Sequence, residues 1–239
     1  MGNKIAVVGS SNTDMILKMG HIPKPGETIL GGEFSIAAGG KGANQAVAAA
    51  RAGGEVTFIA RVGSDMFGDQ AVDGFKKDGI DVSHVLRDEA APSGVALIFV
   101  DEQGENSIGV AGGANGRLSP ADVEAASAAI TSADILIMQL ETPIETIEAA
   151  AKLAHDNGVK VIFNSVLAQP LSDSLLVCVS VLTPNESEAE LLTGKTVTSE
   201  TDAGAAAQAL VDKGIDCVLI TLGAKGAYVH TPELKALVP

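Results

Sequence analysis

Short apolar runs rich in β-branched residues alternate along the chain with segments of helical period. The first run, residues 4–9, reads KIAVVG and is followed by a polar loop, as is typical of a buried strand. Helical patterns cover residues 144–155 and 203–210. Further strand-like runs lie at residues 56–60, 135–138, 159–163, 177–182 and 217–221. This alternation predicts an α/β fold with a doubly wound, mostly parallel sheet and helices on both faces.

Two segments depart from this alternation. Residues 15–37 and 95–110 carry strand signals and turn residues, with no helical period between them. We therefore predict a small β-sheet lid inserted into the α/β domain. The expected lid comprises residues 14–37 and 95–110, and the α/β core comprises residues 1–13, 38–94 and 111–239.

Composition narrows the class of protein. Apolar residues make up 46% of the chain, yet Trp is absent and Tyr occurs once, so the core must consist mainly of Ala, Val, Ile and Leu. The formal net charge of −14 disfavours binding to nucleic acid or to anionic membranes. The 2 cysteines show no spacing typical of a metal site or a disulfide framework. No apolar run approaches the ~18 residues of a membrane span, and we expect a cytoplasmic protein.

Polar residues recur where the predicted strands end. Ligands of open α/β sheets bind beyond the carboxyl ends of the strands. A row of amides and carboxylates there can hydrogen-bond hydroxyl groups, which favours a polyhydroxylated ligand. Each residue alone fits a turn-forming role equally well. The residues in question are Asn12, Asp14, Glu141, Asn164, Asn185 and Thr221.

The glycine-rich segment AGGKGANQ, residues 38–45, precedes an alanine-rich helical run. Glycines allow the backbone to approach a ligand closely, and the start of a helix aims free N–H groups at it. The segment is not a Walker A loop, which needs glycine at Ser35 and Ser or Thr at Gly42. A dinucleotide loop would need a small residue at Gln45. On spacing alone, close packing of a helix through glycine fits this segment as well as a ligand site does.

Four motifs together carry a resemblance to a known family. They are GGKGANQAVAAARAGGEVTFIARVG (residues 39–63), MQLETP (138–143), TPNESEAELLTG (183–194) and ITLGAKG (220–226). In this order and spacing the chain resembles the ribokinase-like (PfkB) carbohydrate kinases over essentially its whole length. The sequence of residues 39–45 and the turn at residues 104–106 resemble the ribose-phosphorylating members of this family. The resemblance implies ATP-dependent phosphorylation of D-ribose to ribose 5-phosphate.

The resemblance also implies site residues. Those that match the family's sugar ligands are Asn12, Asp14, Gly39, Gly40, Lys41 and Asn44, with Glu141 closing the sugar pocket. Those that match its nucleotide side are Asn164, Asn185, Glu188, Thr221, Gly223 and Gly226. Glu188 belongs to the N-x-x-E motif, which implies Mg²⁺ bound through water beside the ATP phosphates. The lid is expected to cover the sugar, and a homodimer is expected through the lid or an exposed sheet edge.

Two departures from the family pattern affect the expected activity. Ser165-Val166-Leu167 stands where ribokinases usually have Pro-Ala-Pro, which is expected to shift Asn164 or loosen its loop. The family's second signature, a Gly-Ala-Gly-Asp-like turn, would follow the position of Pro239. It supplies the anion hole and the aspartate base, near most of the adenine pocket and a monovalent-cation loop. We therefore assign no catalytic base, expect no monovalent-cation site and expect weak turnover.

Two alternatives remain open at this point. One is a working minimal sugar kinase that has solved its catalysis differently, and the other is a non-catalytic sugar-binding or regulatory protein. Residues outside the motifs receive no ligand role. Asp65 is predicted to cap a helix, and Cys178 and Cys217 are predicted to be small buried residues. Surface or turn positions are predicted for His21, His84, His155 and His230.

Overall fold

The computed structural model describes residues 3–166 and 170–239. The expected departure at Leu167 therefore lies outside the described residues, although Ser165 and Val166 lie within them. The strands are β1 (Lys4–Val8), β2 (Asn12–Lys18), β3 (Glu33–Gly39), β4 (Glu55–Gly63), β5 (Asp81–Asp88), β6 (Gly94–Val100), β7 (Asn106–Ala111), β8 (Ile135–Gln139), β9 (Lys160–Asn164), β10 (Val181–Leu182), β11 (Cys217–Thr221), β12 (Ala227–His230) and β13 (Lys235–Val238).

The α-helices connect most of these strands. They are α1 (Lys41–Arg51), α2 (Met66–Lys77), α3 (Pro120–Ala125), α4 (Ser127–Thr131), α5 (Ile144–Asp156), α6 (Asp173–Leu176), α7 (Glu186–Thr193) and α8 (Glu200–Val211). Short 3-10 helices cover Gly113–Arg117 and Gly223–Lys225. In the described part of the chain, every helix falls short of the length and apolar character that crossing a membrane requires.

The large sheet has the strand order β13-β12-β11-β10-β9-β8-β1-β4-β5. Neighbouring strands from β11 to β5 are parallel, whereas β12 and β13 add an antiparallel edge. The predicted doubly wound, mostly parallel sheet is confirmed. From β1 the chain first builds outward through β4 and β5, then restarts at β8 on the other side. The order thus reverses between β1 and β8, and such a reversal opens a crevice at the carboxyl ends of the strands.

Helices pack on both faces of this sheet. One face carries the larger core, in which Val8, Met138 and Phe163 are fully buried against alanine-rich stretches of α5 and α8. On the other face, α1 and α2 cover β1 and β4. There Phe58 meets Phe75 edge to face with ring centroids 5.1 Å apart. Alanine lets helices approach the sheet closely, which suits a core with few aromatic residues.

The two lid segments form a second, small sheet with the order β3-β2-β6-β7. Its register places Asp14, Ala37, Ala96 and Val110 side by side on one face. Met15 lies on the opposite face with its cross-strand neighbours Ile36 and Leu97. The small sheet confirms that part of the fold prediction, while the proposed division into a core and a lid stays a prediction.

Two local predictions were wrong. Residues 177–182 were predicted as a strand, but only Val181–Leu182 is extended, because Ser172 caps the short helix α6 and a turn follows it. His230 was predicted at the surface or in a turn, but it lies in β12 with 3% of its surface exposed. Burial lowers the pKa of His230, with a further contribution from Lys235.

Candidate functional site

The loops that follow β1 and β8 meet at the point where the strand order reverses. Ser10 Oγ donates a hydrogen bond to Glu141 Oε2 at 2.5 Å, across that junction. The same carboxylate oxygen accepts from the backbone N–H of Lys41, the first residue of α1, at 3.0 Å. Gly40, at the N-cap of α1, offers no side-chain cap. Glu141 therefore supplies the negative charge that the start of a helix favours.

Glycines let this helix start approach the loop after β1. A Cβ at Gly42 would lie 2.5 Å from the backbone nitrogen of Ser10, so only glycine allows this contact. A Cβ at Gly39 would instead collide with the carboxylate of Asp14. The first requirement is one of helix packing, whereas the second leaves room for a functional side chain. Helix packing thus accounts for glycine at position 42, while the ligand-site interpretation, to which Gly39 belongs, stays a prediction.

Asp14 faces this helix start from β2 of the small sheet. Burial raises the pKa of its carboxyl group, the charge of Glu141 raises it further, and Lys41 lowers it. Glu141 and Lys41 therefore both act on the half-buried carboxyl group of Asp14. Together with Asn12 they can accept hydrogen bonds from hydroxyl groups and donate hydrogen bonds to them. We call Ser10, Asn12, Asp14, Lys41 and Glu141 the switch-point cluster.

A buried asparagine that sequence reasoning missed supports this cluster. Asn115, in the 3-10 helix Gly113–Arg117, is 2% exposed. Its Oδ1 accepts from the backbone N–H of Ser11 at 2.8 Å, and its Nδ2 donates to Asn12 Oδ1 at 2.8 Å. The sequence around it, GGANG, resembles a turn and gives no signal of contact with a residue 103 positions earlier.

A cavity of about 400 Å³ opens beside the cluster, between β3 and the helices α1 and α2. Asn12, Gly39 and Asn44 contribute to its lining. Ile36, on the face of the small sheet opposite to Asp14, lines it as well. Residues from both faces of the small sheet therefore line the cavity, whereas Asp14 is not among its lining residues.

The ends of β9, β10 and β11 form a second group of polar residues. Asn164 Nδ2 donates to both the carbonyl and the hydroxyl of Thr183, at 3.0 Å each. Asn185 lies beside Thr221 in an isolated parallel bridge. Asn185 is also the N-cap of α7. Asn164, Asn185, Glu188 and Thr221 are called the strand-end cluster below.

Glu188 is 4% exposed, and hydrogen bonds surround its carboxylate. Asn185 donates to it twice, through its backbone N–H at 3.0 Å and through Nδ2 at 2.9 Å. Ser165 Oγ makes a longer contact of 3.4 Å with Oε2. The backbone N–H of Glu188 in turn donates to Asn185 Oδ1 at 2.9 Å, which completes a capping box. These contacts are those of a capped helix N-terminus.

Two glycines of the predicted nucleotide side follow β11. Gly223 and Gly226 have φ angles of 55° and 98°, in the region that favours glycine. A Cβ at Gly226 would also collide with the carbonyl oxygen of Val238 in the neighbouring hairpin. The turn itself therefore accounts for glycine at both positions.

The comparison with known proteins decides the family. A family model described as pfkB family carbohydrate kinase matches residues 3–239. This chain belongs to that family. The ribokinase of Haemophilus influenzae is 48% identical over 229 residues, which are 96% of this chain and 75% of that protein. The ribokinase of Staphylococcus aureus is 41% identical over 232 residues, which are 97% of this chain and 76% of that protein.

The fold of this pfkB family member is also that of solved kinases. A structure described as Arabidopsis thaliana ribokinase complexed with ribose and ATP superposes with a TM-score of 0.87 at 30% identity. The match covers 100% of this chain and 78% of that one. The family prediction made from the four motifs is confirmed, and with it the assignment to the carbohydrate kinases.

In this carbohydrate kinase the predicted site residues fall into two places. The switch-point cluster unites the predicted sugar ligands Asn12, Asp14, Lys41 and Glu141, with Gly39 and Gly40 beside them. Asn44, in the first turn of α1, is exposed and lines the neighbouring cavity. The predicted nucleotide residues form the strand-end cluster and the turn after it. Their individual roles stay predictions.

Proposed function

We propose that this carbohydrate kinase binds ribose at the switch-point cluster and transfers the γ-phosphoryl group of ATP to it, giving ribose 5-phosphate. The observation that carries the proposal is the meeting of Asp14, Glu141 and Lys41 where the strand order reverses. The similarity to ribokinases, one of them described as complexed with ribose and ATP, supports it.

Ribose recognition would follow from the chemistry of these groups. Carboxylates accept hydrogen bonds from neighbouring hydroxyls, and charge-assisted bonds of this kind are about twice as strong as neutral ones. Lys41 and Asn12 supply donors for the sugar oxygens. Asp14 shares its face of the small sheet with Ala96 and Val110, whose methyl groups suit the C–H faces of a sugar ring. The small sheet would thus cover the sugar from above.

The strand-end cluster would hold the nucleotide side. Groups of three or more His, Cys, Asp or Glu able to hold a metal are absent from the described ranges, 3–166 and 170–239. A single buried carboxylate and amide groups fit Mg²⁺, which keeps several waters and binds largely through phosphate oxygens. Glu188 and Asn185 would hold such an ion through water. When bound, Mg²⁺ neutralises charge on the transferring phosphate.

The reaction also needs a base for the attacking hydroxyl. Asp14 and Glu141 are poor candidates for two reasons. Both would bind ring hydroxyls of the sugar, and Glu141 already accepts two hydrogen bonds. A positioned general base typically contributes ~10²–10⁴ in rate. We therefore propose that residues 1–239 by themselves turn over slowly, and we assign the base to none of them.

Self-association is a further part of the proposal. The outer face of the small sheet exposes Phe34 by 61%, Ile36 by 53% and Leu97 by 51%. Large exposed apolar side chains that adjoin one another mark contact surfaces. We propose that two copies of the chain pair through this face.

The decisive experiment combines ribose titration calorimetry with a coupled ATP-consumption assay on the 239-residue chain. We expect ribose binding and slow ribose-dependent ATP consumption. Asp14→Asn should abolish ribose binding, while Asp156→Asn, on the exposed C-terminal end of α5, should leave it unchanged. Light scattering of the same samples at tens of micromolar should report a dimer.

Each outcome has a clear meaning. Ribose binding that survives Asp14→Asn contradicts the sugar site. Ribose binding without any ATP consumption favours the non-catalytic sugar-binding alternative. Fast turnover contradicts the proposal that these residues lack the base.

A further inference from the structure

The side chain of Asn115 is the only link, among the residues that the structure describes, between the 3-10 helix Gly113–Arg117 and the amide of Asn12. The side chain of Asn115 makes three hydrogen bonds. Its Oδ1 accepts from Ser11 N–H at 2.8 Å, and its Nδ2 donates to the Ser11 carbonyl at 3.1 Å and to Asn12 Oδ1 at 2.8 Å. All three bonds are buried.

These contacts fix the orientation of two amides in succession. A backbone N–H can only donate, so the side-chain atom of Asn115 that faces Ser11 N–H must be the oxygen. The other atom, Nδ2, faces the Ser11 carbonyl, which can only accept. Because Asn115 Nδ2 is a donor, the atom of the Asn12 amide that it contacts must be the oxygen as well. The NH₂ group of Asn12 is left over, and no hydrogen bond from within residues 3–166 and 170–239 engages it.

The surroundings hold Asn115 firmly in place. The neighbouring residue Ala114 donates its backbone N–H to the Pro92 carbonyl at 2.8 Å. Two residues further on, Arg117 Nε donates to the buried Asp88 at 2.7 Å. A Cβ at Gly94 would collide with both Asn12 Oδ1 and Asn115 Nδ2, so the strand passes this amide pair at the closest possible distance. The amide of Asn115 is therefore closely packed, and a turned-over amide would lose all three of its hydrogen bonds.

We propose that Asn115 is a positioning residue that locks the Asn12 amide with its NH₂ group presented to the sugar, so that Asn12 recognises a sugar oxygen as a donor only. The inference rests on the proposed ribose binding. It adds a residue that touches no substrate, and it assigns a direction to the hydrogen bond that Asn12 makes. If residue 115 carried an acceptor in place of Nδ2, the Asn12 amide should turn over and offer its oxygen to the sugar instead.

A double-mutant cycle on ribose affinity tests the proposal. Asn115→Asp keeps the acceptor for Ser11 N–H but replaces the donor to Asn12 by an oxygen, which should turn the Asn12 amide over. We expect the ribose dissociation constant to rise about tenfold, the cost of one hydrogen bond. In the Asn12→Leu background, where no amide remains to be oriented, Asn115→Asp should add no further loss. ATP affinity should be unchanged throughout.

Asn157→Asp is the matched control, because it adds the same charge at the exposed end of α5. An Asn115→Asp variant that binds ribose as the unmodified chain does would overturn the inference. So would an equal loss in both backgrounds, which indicates a merely structural role. If the unmodified chain binds no ribose, the proposed function fails first, and the inference falls with it.

A second measurement uses the unmodified chain and does not depend on a folded variant. The side-chain NH₂ signal of Asn12 in a ¹⁵N-resolved NMR spectrum can be assigned by its loss in Asn12→Leu. Ribose should shift this signal and leave that of Asn115 nearly unmoved. If the chemical shift of the Asn12 NH₂ signal does not change at saturating ribose, the proposal is contradicted.

Discussion

The switch-point cluster and the strand-end cluster differ in how the fold holds one carboxylate of each, Asp14 in the first and Glu188 in the second. Glu188, in the strand-end cluster, accepts hydrogen bonds from Asn185 and Ser165 and has little capacity left. Asp14, in the switch-point cluster, receives no hydrogen bond from the described residues, and burial together with the Glu141 charge raises its pKa. One carboxylate is satisfied by the fold, and the other is not.

The difference shows where a ligand has most to contribute. A half-buried carboxylate without partners loses hydration without compensation, and ligand hydroxyls restore the missing hydrogen bonds. A carboxylate inside a capping box already stabilises its helix, so a ligand reaches it only through remaining lone pairs or water. The switch-point cluster is therefore expected to respond to changes in ligand affinity, and the strand-end cluster to changes in both ligand affinity and stability.

After Asp14→Asn itself, the largest expected effect comes from a substitution that breaks the switch-point cluster without removing a polar group. Gly39→Ala places a methyl group where the Asp14 carboxylate lies. Displacing that carboxylate should raise the ribose dissociation constant by roughly 10- to 100-fold, because charged hydrogen bonds contribute about 1.5–3 kcal/mol each. Isothermal titration with ribose measures the change, and ATP affinity should stay the same.

Gly109→Ala is the matched control for this substitution. Gly109 lies in β7 of the same small sheet, and a Cβ there would meet nothing within 4 Å. It should leave the ribose affinity unchanged. Equal losses in the two variants would mean that the small sheet tolerates no added methyl group, and the steric argument for Gly39 would fail.

The fold was predictable because it follows from local patterns. The apolar runs and the helical periods between them are short-range features. They were enough to predict the mostly parallel sheet and the small second sheet. Polar residues after β1 and β8 could be placed near each other because parallel strands share one carboxyl edge. The family motifs then supplied roles that spacing alone left open.

The contacts inside the site could not be predicted in the same way. Ser10 meets Glu141 across 131 positions, and Asn115 meets Ser11 across 104, and neither pair leaves a periodic signal. His230 was misplaced because a lone histidine carries no burial signal when its strand is short. The glycines at positions 39 and 42 look alike in sequence, yet they approach a carboxylate and a backbone nitrogen respectively.

A smaller effect separates two roles of Glu188, the observed helix capping and the proposed binding of Mg²⁺ and ATP. Glu188→Gln keeps one acceptor but turns an NH₂ group toward the donors of Asn185. The free energy of unfolding should fall by roughly 1 kcal/mol, the usual cost of a lost cap, and Mg²⁺-dependent ATP binding should weaken. Ribose affinity should not change. Denaturant unfolding and calorimetry measure the two quantities.

Asp202→Asn controls for the loss of a cap alone. Asp202 completes the capping box of α8 with Ser199, on an exposed helix start that we assign no ligand. It should lower stability to a similar extent and leave ATP binding intact. If Glu188→Gln also leaves ATP binding intact, then Glu188 is a helix cap and nothing more.

The smallest expected effect is a pH dependence that runs in opposite directions for stability and for binding. Burial, followed by the Glu141 charge, raises the pKa of Asp14 in the folded chain. The folded state therefore holds the proton at higher pH than the unfolded state does. The stability contribution of Asp14 is present below its unfolded pKa and is lost as the pH rises through its folded pKa.

Ribose affinity should change the other way, because the ionised carboxylate is the acceptor that the sugar needs. Acidification into the range of the raised pKa, where only part of the molecules lose the Asp14 charge, should begin to weaken ribose binding severalfold while the contribution of Asp14 to stability grows. Calorimetry on the unmodified chain over a pH series measures the affinity. Denaturant unfolding of the unmodified chain and of Asp14→Asn isolates the stability term. If both chains show the same pH dependence of unfolding, Asp14 is not held at a raised pKa, and the contrast with Glu188 loses its electrostatic basis.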